Sequence, residues 1–341
     1  MLPASVVDSL LPFAREQTAC QCSINVINGG RISDWHQICG LSALVVVFWI
    51  CPEEFSGFEK IITLGGAFDE AGCVVAHIMQ YGGTILRSRR CEDFRTDEGL
   101  QKAADNLHKH NIEGLIVIGG DGTLRGAVDL SRHWDGKIIG CPATIDNDLA
   151  GTDFTIGFPT AVTTAVEAID KLRDTAESHE RMFLVEVMGR HSGYLALYTA
   201  VASGAEFACI PETPTDVPSI IKRIHELKAQ GKSSIIIVVA EGDEQGGAEV
   251  LNDKFRAAHC PFSTRTLTLG HVQRGGVPTP ADRILASELG DHAVRALVAG
   301  AHSVMSGKLN GKLVLIPLID AYSTHKPIPS DLEELLTRMT R

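Results

Sequence analysis

Beyond about residue 82, apolar positions fall into two alternating spacings. Short continuous runs such as Leu115-Ile116-Val117-Ile118 and Ile235–Ala240 read as strands buried on both faces. The spacing predicts strands at 83–86, 114–118, 137–141, 182–187, 206–210, 234–240, 266–270 and 312–316. Between them lie helical patterns at 97–111, 122–133, 159–177, 193–203, 216–230 and 279–299, where Leu100, Ala103, Ala104 and Leu107 show the i, i+3, i+4, i+7 stripe. Alternation of this kind predicts an α/β protein of two doubly wound domains, with mainly parallel sheets and helices on both faces. Ligands in such folds sit at the carboxyl ends of strands. Residues 1–58 carry no such unit, and their structure is left uncertain. They hold four of the nine cysteines and two of the three tryptophans.

Composition narrows the classes of function. At 341 residues there is room for two cores, and a net charge of −11 argues against non-specific nucleic-acid binding. The apolar stretch Leu41–Cys51 is too short to span a bilayer, and Met1-Leu2-Pro3 lacks the basic start of a secretory leader. Nine cysteines cannot all pair within one chain, so a reduced, cytoplasmic setting is expected. An acidic protein must attract anionic substrates with local arginines, which makes their positions informative.

Two segments carry the chemistry. Gly119-Gly120-Asp121-Gly122-Thr123 follows the run 114–118, and a strand opening into a glycine turn before a helix offers backbone N–H groups to a phosphate. Thr144-Ile145-Asp146-Asn147-Asp148 puts two carboxylates on one loop. Together they suit Mg²⁺-assisted phosphoryl transfer, with Asp146 as the base. The plainer alternative is a strand–helix joint and a pair of turn-forming aspartates. Against it stand the arginines: Arg181 entering one strand, Arg190 leaving it in Met188-Gly189-Arg190, Arg265 before the next, and Arg274 leaving it in His271-Val272-Gln273-Arg274. Guanidinium forks match phosphate oxygens. Glu241, after Ile235–Ala240, reads as a sugar-hydroxyl ligand or a plain strand-end charge.

Taken in order, Gly119–Thr123, Thr144–Asp148, Gly151–Phe158, Ala168–Arg181, Val185–Arg190, Glu241 and Gly270–Gly276 resemble the ATP-dependent 6-phosphofructokinases. The resemblance runs from about 82 to 316. It implies transfer of the ATP γ-phosphoryl to the 1-hydroxyl of fructose 6-phosphate on a homotetramer with sites shared between subunits. By that resemblance Asp146 is the base, with Thr144 and Asp148 beside it and Arg190 near the transferring group. Met188, Gly189, Glu241, His271 and Arg274 would hold the sugar phosphate, and Arg181 and Arg265 would reach a neighbouring subunit's substrate. Gly120, Asp121, Gly122 and Thr123, with Arg90 and Cys91, would serve ATP, and Asp121 its Mg²⁺. The implied domains are 59–157 plus 275–312 for nucleotide and 158–274 plus 313–341 for sugar phosphate, with 1–58 an atypical segment open to disorder.

Gly122 and Ala143 stand where the pyrophosphate-using branch typically carries Asp and Lys, so ATP is the expected donor. Two departures weaken the nucleotide side. Nothing in 1–81 matches the family's first glycine loop, and Arg87 replaces a turn glycine beside Arg89. An altered reading frame or gene start would suit the composition of 1–58. Arg173, Gly204, Glu206 and Lys232 match effector-binding positions without their usual partner arginines, so blunted regulation is expected. The competing readings are a weak or inactive paralogue that binds sugar phosphate or joins an intact subunit, and a pyrophosphate-dependent enzyme.

Overall fold

The computed structural model describes residues 79–83, 91–109 and 113–340, and the backbone of three strands: Ile24–Val26 (β1), Trp35–Cys39 (β2) and Leu44–Phe48 (β3). The expected strand at 83–86 and Arg87, Arg89 and Arg90 lie outside the described residues, Gly83 excepted. The chain divides into two compact units. One gathers residues up to Thr144 with Leu149–Gly157 and Val277–Lys326; the other comprises Ile145–Asp148, Phe158–Gly276 and Pro327–Arg341.

In the first unit a five-stranded sheet runs β1, Gly114–Gly119 (β4), Lys137–Pro142 (β5), Val304–Leu309 (β10) and Lys312–Pro317 (β11). β4, β5 and β10 are parallel, the two edge strands antiparallel, and β2 and β3 form a separate hairpin. Every residue of β4 is buried, and its alternate side chains enter different cores. Leu115 and Val117 meet Leu100, Ala104 and Leu107 of Asp97–Lys109 (α1) and Leu124, Ala127 and Leu130 of Asp121–Leu130 (α2). Ile116 and Ile118 meet Leu285, Leu289, Ala293 and Leu297 of Pro280–Val298 (α7). A continuous apolar run therefore means helices on both faces, as the pattern predicts.

The second unit holds an entirely parallel sheet. Its order is Phe207–Cys209 (β7), Ile235–Ala240 (β8), Arg181–Val187 (β6) and Ser263–Thr268 (β9). Phe183, Val185 and Val187 pack under Phe158–Ser178 (α3) and Tyr194–Ser203 (α4). Met182 and Leu184 pack on the other face under Val217–Ala229 (α5) and Ala248–Ala257 (α6). Ser330–Met339 (α9) adds Leu336 to the α3–α4 core.

Three expectations shift. The strand at 266–270 is β9, beginning at Ser263, so Arg265 lies inside it and not before it. β10, absent from the sequence reading, pairs with β11 through Asn310-Gly311, both at positive φ, the signature of a two-residue hairpin turn. That pairing keeps 313–326 in the first unit, so the chain passes to the second at Lys326/Pro327 and not near 313. The helices α6, Leu318–Ser323 (α8) and α9 were also not anticipated.

Candidate functional site

In the second unit the loops after β6, β8 and β9 lie at the carboxyl ends of three adjacent strands, where open parallel sheets bind ligands. The loop after β6 turns sharply, with Gly189 at φ 137° and Arg190 at 52°. Three successive N–H groups are captured there. Met188 donates to Gln273 Oε1 at 2.9 Å, and Gly189 and Arg190 donate to Glu241 Oε1 at 3.3 and 2.8 Å. Glu241 is itself tied in, its N–H donating to the Val187 carbonyl at 2.9 Å. Gly242 is required beside it, because a Cβ there would collide with the Arg190 carbonyl. At the start of α4, Gly193 N–H donates to both oxygens of Glu212 at 2.8 and 3.0 Å, an acid at the positive end of a helix.

Asp146 belongs to this arrangement. It is buried, its carbonyl accepts the Ser192 hydroxyl at 2.8 Å, and its Oδ2 lies 3.8 Å from Arg190 Nε. Burial above all pushes its pKa up to about 6, and the Asp148 charge adds to that; Arg190 and Arg274 pull the other way. A carboxylate in that range exchanges a proton near neutral pH, as a general base must. Arg274 is half-buried, and its Nε has no hydrogen-bond partner among the described residues. His271 is exposed on the same 3₁₀ turn, Gly270–Arg274.

Arg181 and Arg265 stand apart from this cluster. Arg181 begins β6, about 20 Å of strand before Val187 at roughly 3.3 Å per residue. Arg265 is exposed beside it on β9, opposite Phe183, and donates to the Thr264 carbonyl at 2.7 Å. The positions expected to bind effectors are occupied within the chain. Glu206 is buried, takes Lys232 Nζ at 2.6 Å and the Ile236 N–H at 2.7 Å, and Arg173 donates to the Ser203 carbonyl at 2.6 Å beside Gly204.

The first unit carries the glycine turn. β4 ends at Gly119, and α2 starts at Asp121 with Gly120 as its extended cap and no side-chain bond across that cap. A Cβ on Gly119 would strike Thr123, so close packing demands that glycine. Gly122 is different: it is exposed, and among the described residues a Cβ there would meet nothing within 4 Å. The half-exposed Asp121 carboxylate is 4.0 Å from Arg125 Nε, whose guanidinium lies over the Tyr322 ring. Thr144 adjoins Gly120, and its carbonyl accepts the Thr155 hydroxyl at 2.6 Å. Ala143 is buried in the α7 core. Cys91 is half-buried against α1 and α2, while Arg90 lies outside the described residues.

The structure thus joins Asp146, Arg190, Glu241 and Arg274 in one unit, and Gly120, Asp121, Thr123 and Thr144 in the other. Sequence reasoning missed Gln273, Ser192, Glu212 and Gly242. Gln273 sat in full view within His271–Arg274, but its bond partner lies 85 residues away.

The phosphofructokinase family model matches residues 50–297. The ATP-dependent 6-phosphofructokinase 1 of Thermus thermophilus is 50% identical over 267 residues, 78% of this chain and 81% of that protein. The ATP-dependent 6-phosphofructokinase of Cytophaga hutchinsonii is 48% identical over 283 residues, 83% of this chain and 86% of that one. Among solved structures, the T-state phosphofructokinase of Pichia pastoris aligns with TM-score 0.68 and 32% identity over 79% of this chain, which spans 31% of that longer one. A pyrophosphate-dependent phosphofructokinase from Marinobacter aquaeolei aligns with TM-score 0.63 at 21% identity over 76% of this chain and 74% of that one, a likeness of fold.

Proposed function

The chain belongs to the phosphofructokinase family, and we propose that its two units divide the work of one phosphoryl transfer. The reaction moves the γ-phosphoryl of ATP to the 1-hydroxyl of fructose 6-phosphate, the glycolytic step its relatives are named for. The observation that carries this assignment is Asp146, a buried carboxylate with its pKa near 6 and two guanidinium groups acting on it. Asp146 takes the 1-hydroxyl proton as that oxygen bonds to the γ-phosphorus and the bond to the ADP oxygen breaks. Arg190 balances charge on the group in transit. Met188, Gly189, Glu241, His271 and Arg274 hold the sugar phosphate, with Asp148 and Thr144 flanking the base.

On the first unit, Gly120, Gly122 and Thr123 receive the nucleotide phosphates at the start of α2, with Arg90 and Cys91 alongside. Asp121 suits Mg²⁺, which commonly takes one or two carboxylates together with substrate phosphates. The ion would neutralise the β- and γ-oxygens when bound. The donor choice follows from space and burial. Among the described residues none would meet a side chain at 122, which supports room there for a phosphate. Ala143 sits in a core where a lysine would have no place. The position of Arg181 at the far end of β6 supports a homotetramer in which it and Arg265 serve a neighbour's substrate. A cytoplasmic setting fits the cysteine count, and among the described residues no helix is long and apolar enough to cross a membrane.

Slow turnover with ATP is the expected outcome, because no stretch of 1–81 matches the sequence of the family's first glycine loop and Arg87 stands where the family has glycine. One assay tests the whole reading: purified protein, fructose 6-phosphate and Mg²⁺, with ATP or pyrophosphate as donor. ATP-driven turnover that disappears in Asp146→Ala supports it. Turnover with pyrophosphate alone overturns the donor, and sugar-phosphate binding in calorimetry without turnover identifies an inactive paralogue.

A further inference from the structure

We infer that Gln273 is a positioning residue for sugar-phosphate recognition, its amide holding the Met188–Arg190 turn in the shape that binds. This rests on the reading of Met188 and Gly189 as sugar-phosphate ligands. The Met188 N–H can only donate, so the Gln273 oxygen must face it, and the orientation of the amide is settled by that bond. The NH₂ end is then left buried without an acceptor among the described residues. Gln273 itself is almost wholly enclosed, so solvent cannot repair the deficit.

As a contribution to stability this is a poor arrangement. An unmatched buried donor costs about as much as the bond to Met188 returns, so the residue leaves little net gain. Its contribution is to geometry. Glu241, from the β8 side, holds the N–H groups of Gly189 and Arg190, and Gln273, from the β9 side, holds that of Met188. The turn between them is gripped from both neighbouring strands. Gln273 also shares its 3₁₀ turn with His271 and Arg274, so one side chain ties two groups of ligands together.

Gln273→Met keeps length and removes both polar ends, while Gln273→Glu keeps an oxygen within reach of Met188. For the Met variant, the KM for fructose 6-phosphate should rise about tenfold, with kcat and the KM for ATP changing less than about threefold. Its melting midpoint should fall by no more than a few degrees, since removing the unmatched NH₂ offsets the Met188 N–H left without an acceptor. The Glu variant should bind the sugar phosphate more tightly than the Met variant, and amide hydrogen exchange at Met188 should quicken only in the latter. An unchanged KM in the Met variant, or a loss of stability equal to its loss of affinity, overturns the inference. Failure of the unsubstituted protein to turn over fructose 6-phosphate strikes the proposed function instead, and Met188 exchange still decides whether Gln273 grips the turn.

Discussion

Two turns in this protein leave parallel strands and are expected to meet anions, and they are built in opposite ways. The turn after β6 is strapped by its own chain: Gln273, Glu241 and Glu212 take backbone N–H groups, and Gly242 is squeezed against a carbonyl. With those donors spent on carboxylates and an amide, anion binding falls to side chains, Arg190 and Arg274. The turn after β4 is capped by Gly120, which has no side chain, and among the described residues nothing lies within 4 Å of a Cβ at Gly122. There the backbone and the helix end are the binding groups. In a chain of net charge −11 the contrast has a clear logic. Where acids take up the loop's N–H groups, cations must do the binding; where the cap is a glycine with no side chain, the helix end itself supplies the donors, with Asp121 in its first turn.

The sharpest way to break this contrast is Asp146→Asn. Loss of the base should lower kcat by roughly 10²–10⁴. The same change should raise thermal stability. Burial pushes Asp146 up from the ordinary carboxylate value of 3.8 to about 6, so its ionised form is penalised above pH 6, and the penalty develops as pH rises from about 4 to 6. Two pKa units correspond to about 3 kcal/mol at neutral pH. A variant that is both inactive and less stable would show that the carboxylate is a structural partner and not a strained base.

Glu241→Ala comes next. It leaves two N–H groups of the strapped turn unpaired, and the KM for fructose 6-phosphate should rise about 10- to 100-fold at little change in the KM for ATP. Gly122→Asp tests the open turn, and there the KM for ATP should rise about tenfold, with the sugar-phosphate KM unmoved. If each substitution impaired both substrates equally, the division between the two units would fail. A milder probe is acidity: kcat should decline as pH falls through about 6, because protonated Asp146 cannot accept the hydroxyl proton.

How much of this was legible from residues alone depended on how local each feature is. β4 and β8 are unbroken apolar runs and β5 and β6 are mostly apolar, with Lys137, Arg181 and Glu186 the exceptions; the ends of all four were read within a residue or so. β9 opens on the polar residues Ser263, Thr264 and Arg265, so its apolar end at Leu267 and Leu269 drew the start of the expected strand three residues too far along. β10 was hidden by Ser306 and Gly307, the latter needed because a Cβ would collide with the Gly151 carbonyl, although Asn310-Gly311 was a usable hairpin signal. Leu251 and Phe255, four apart, could have revealed α6. The charged site residues stood out because an acidic chain makes arginines conspicuous. Their clamps did not, since Gln273 and Glu241 act on residues 85 and about 50 positions away, a fact of tertiary folding.

The smallest effect is also the cleanest separation of fold from function. Gly122 lies in the first turn of α2, with a backbone that any residue can adopt and, among the described residues, no atom within 4 Å of a prospective Cβ. Glycine in a helix is less stable than alanine by roughly 0.5–1 kcal/mol. Gly122→Ala should therefore raise the melting midpoint by a few degrees, and a single methyl should change the KM for ATP far less than the carboxylate of Gly122→Asp does. The strapped turn behaves in the opposite sense: Gly242→Ala must displace the Arg190 carbonyl and should lower both stability and sugar-phosphate affinity. If Gly122→Ala destabilised the protein as Gly242→Ala does, the turn after β4 would be as closely packed as the one after β6. Its glycine would then be there for the fold and not for a ligand.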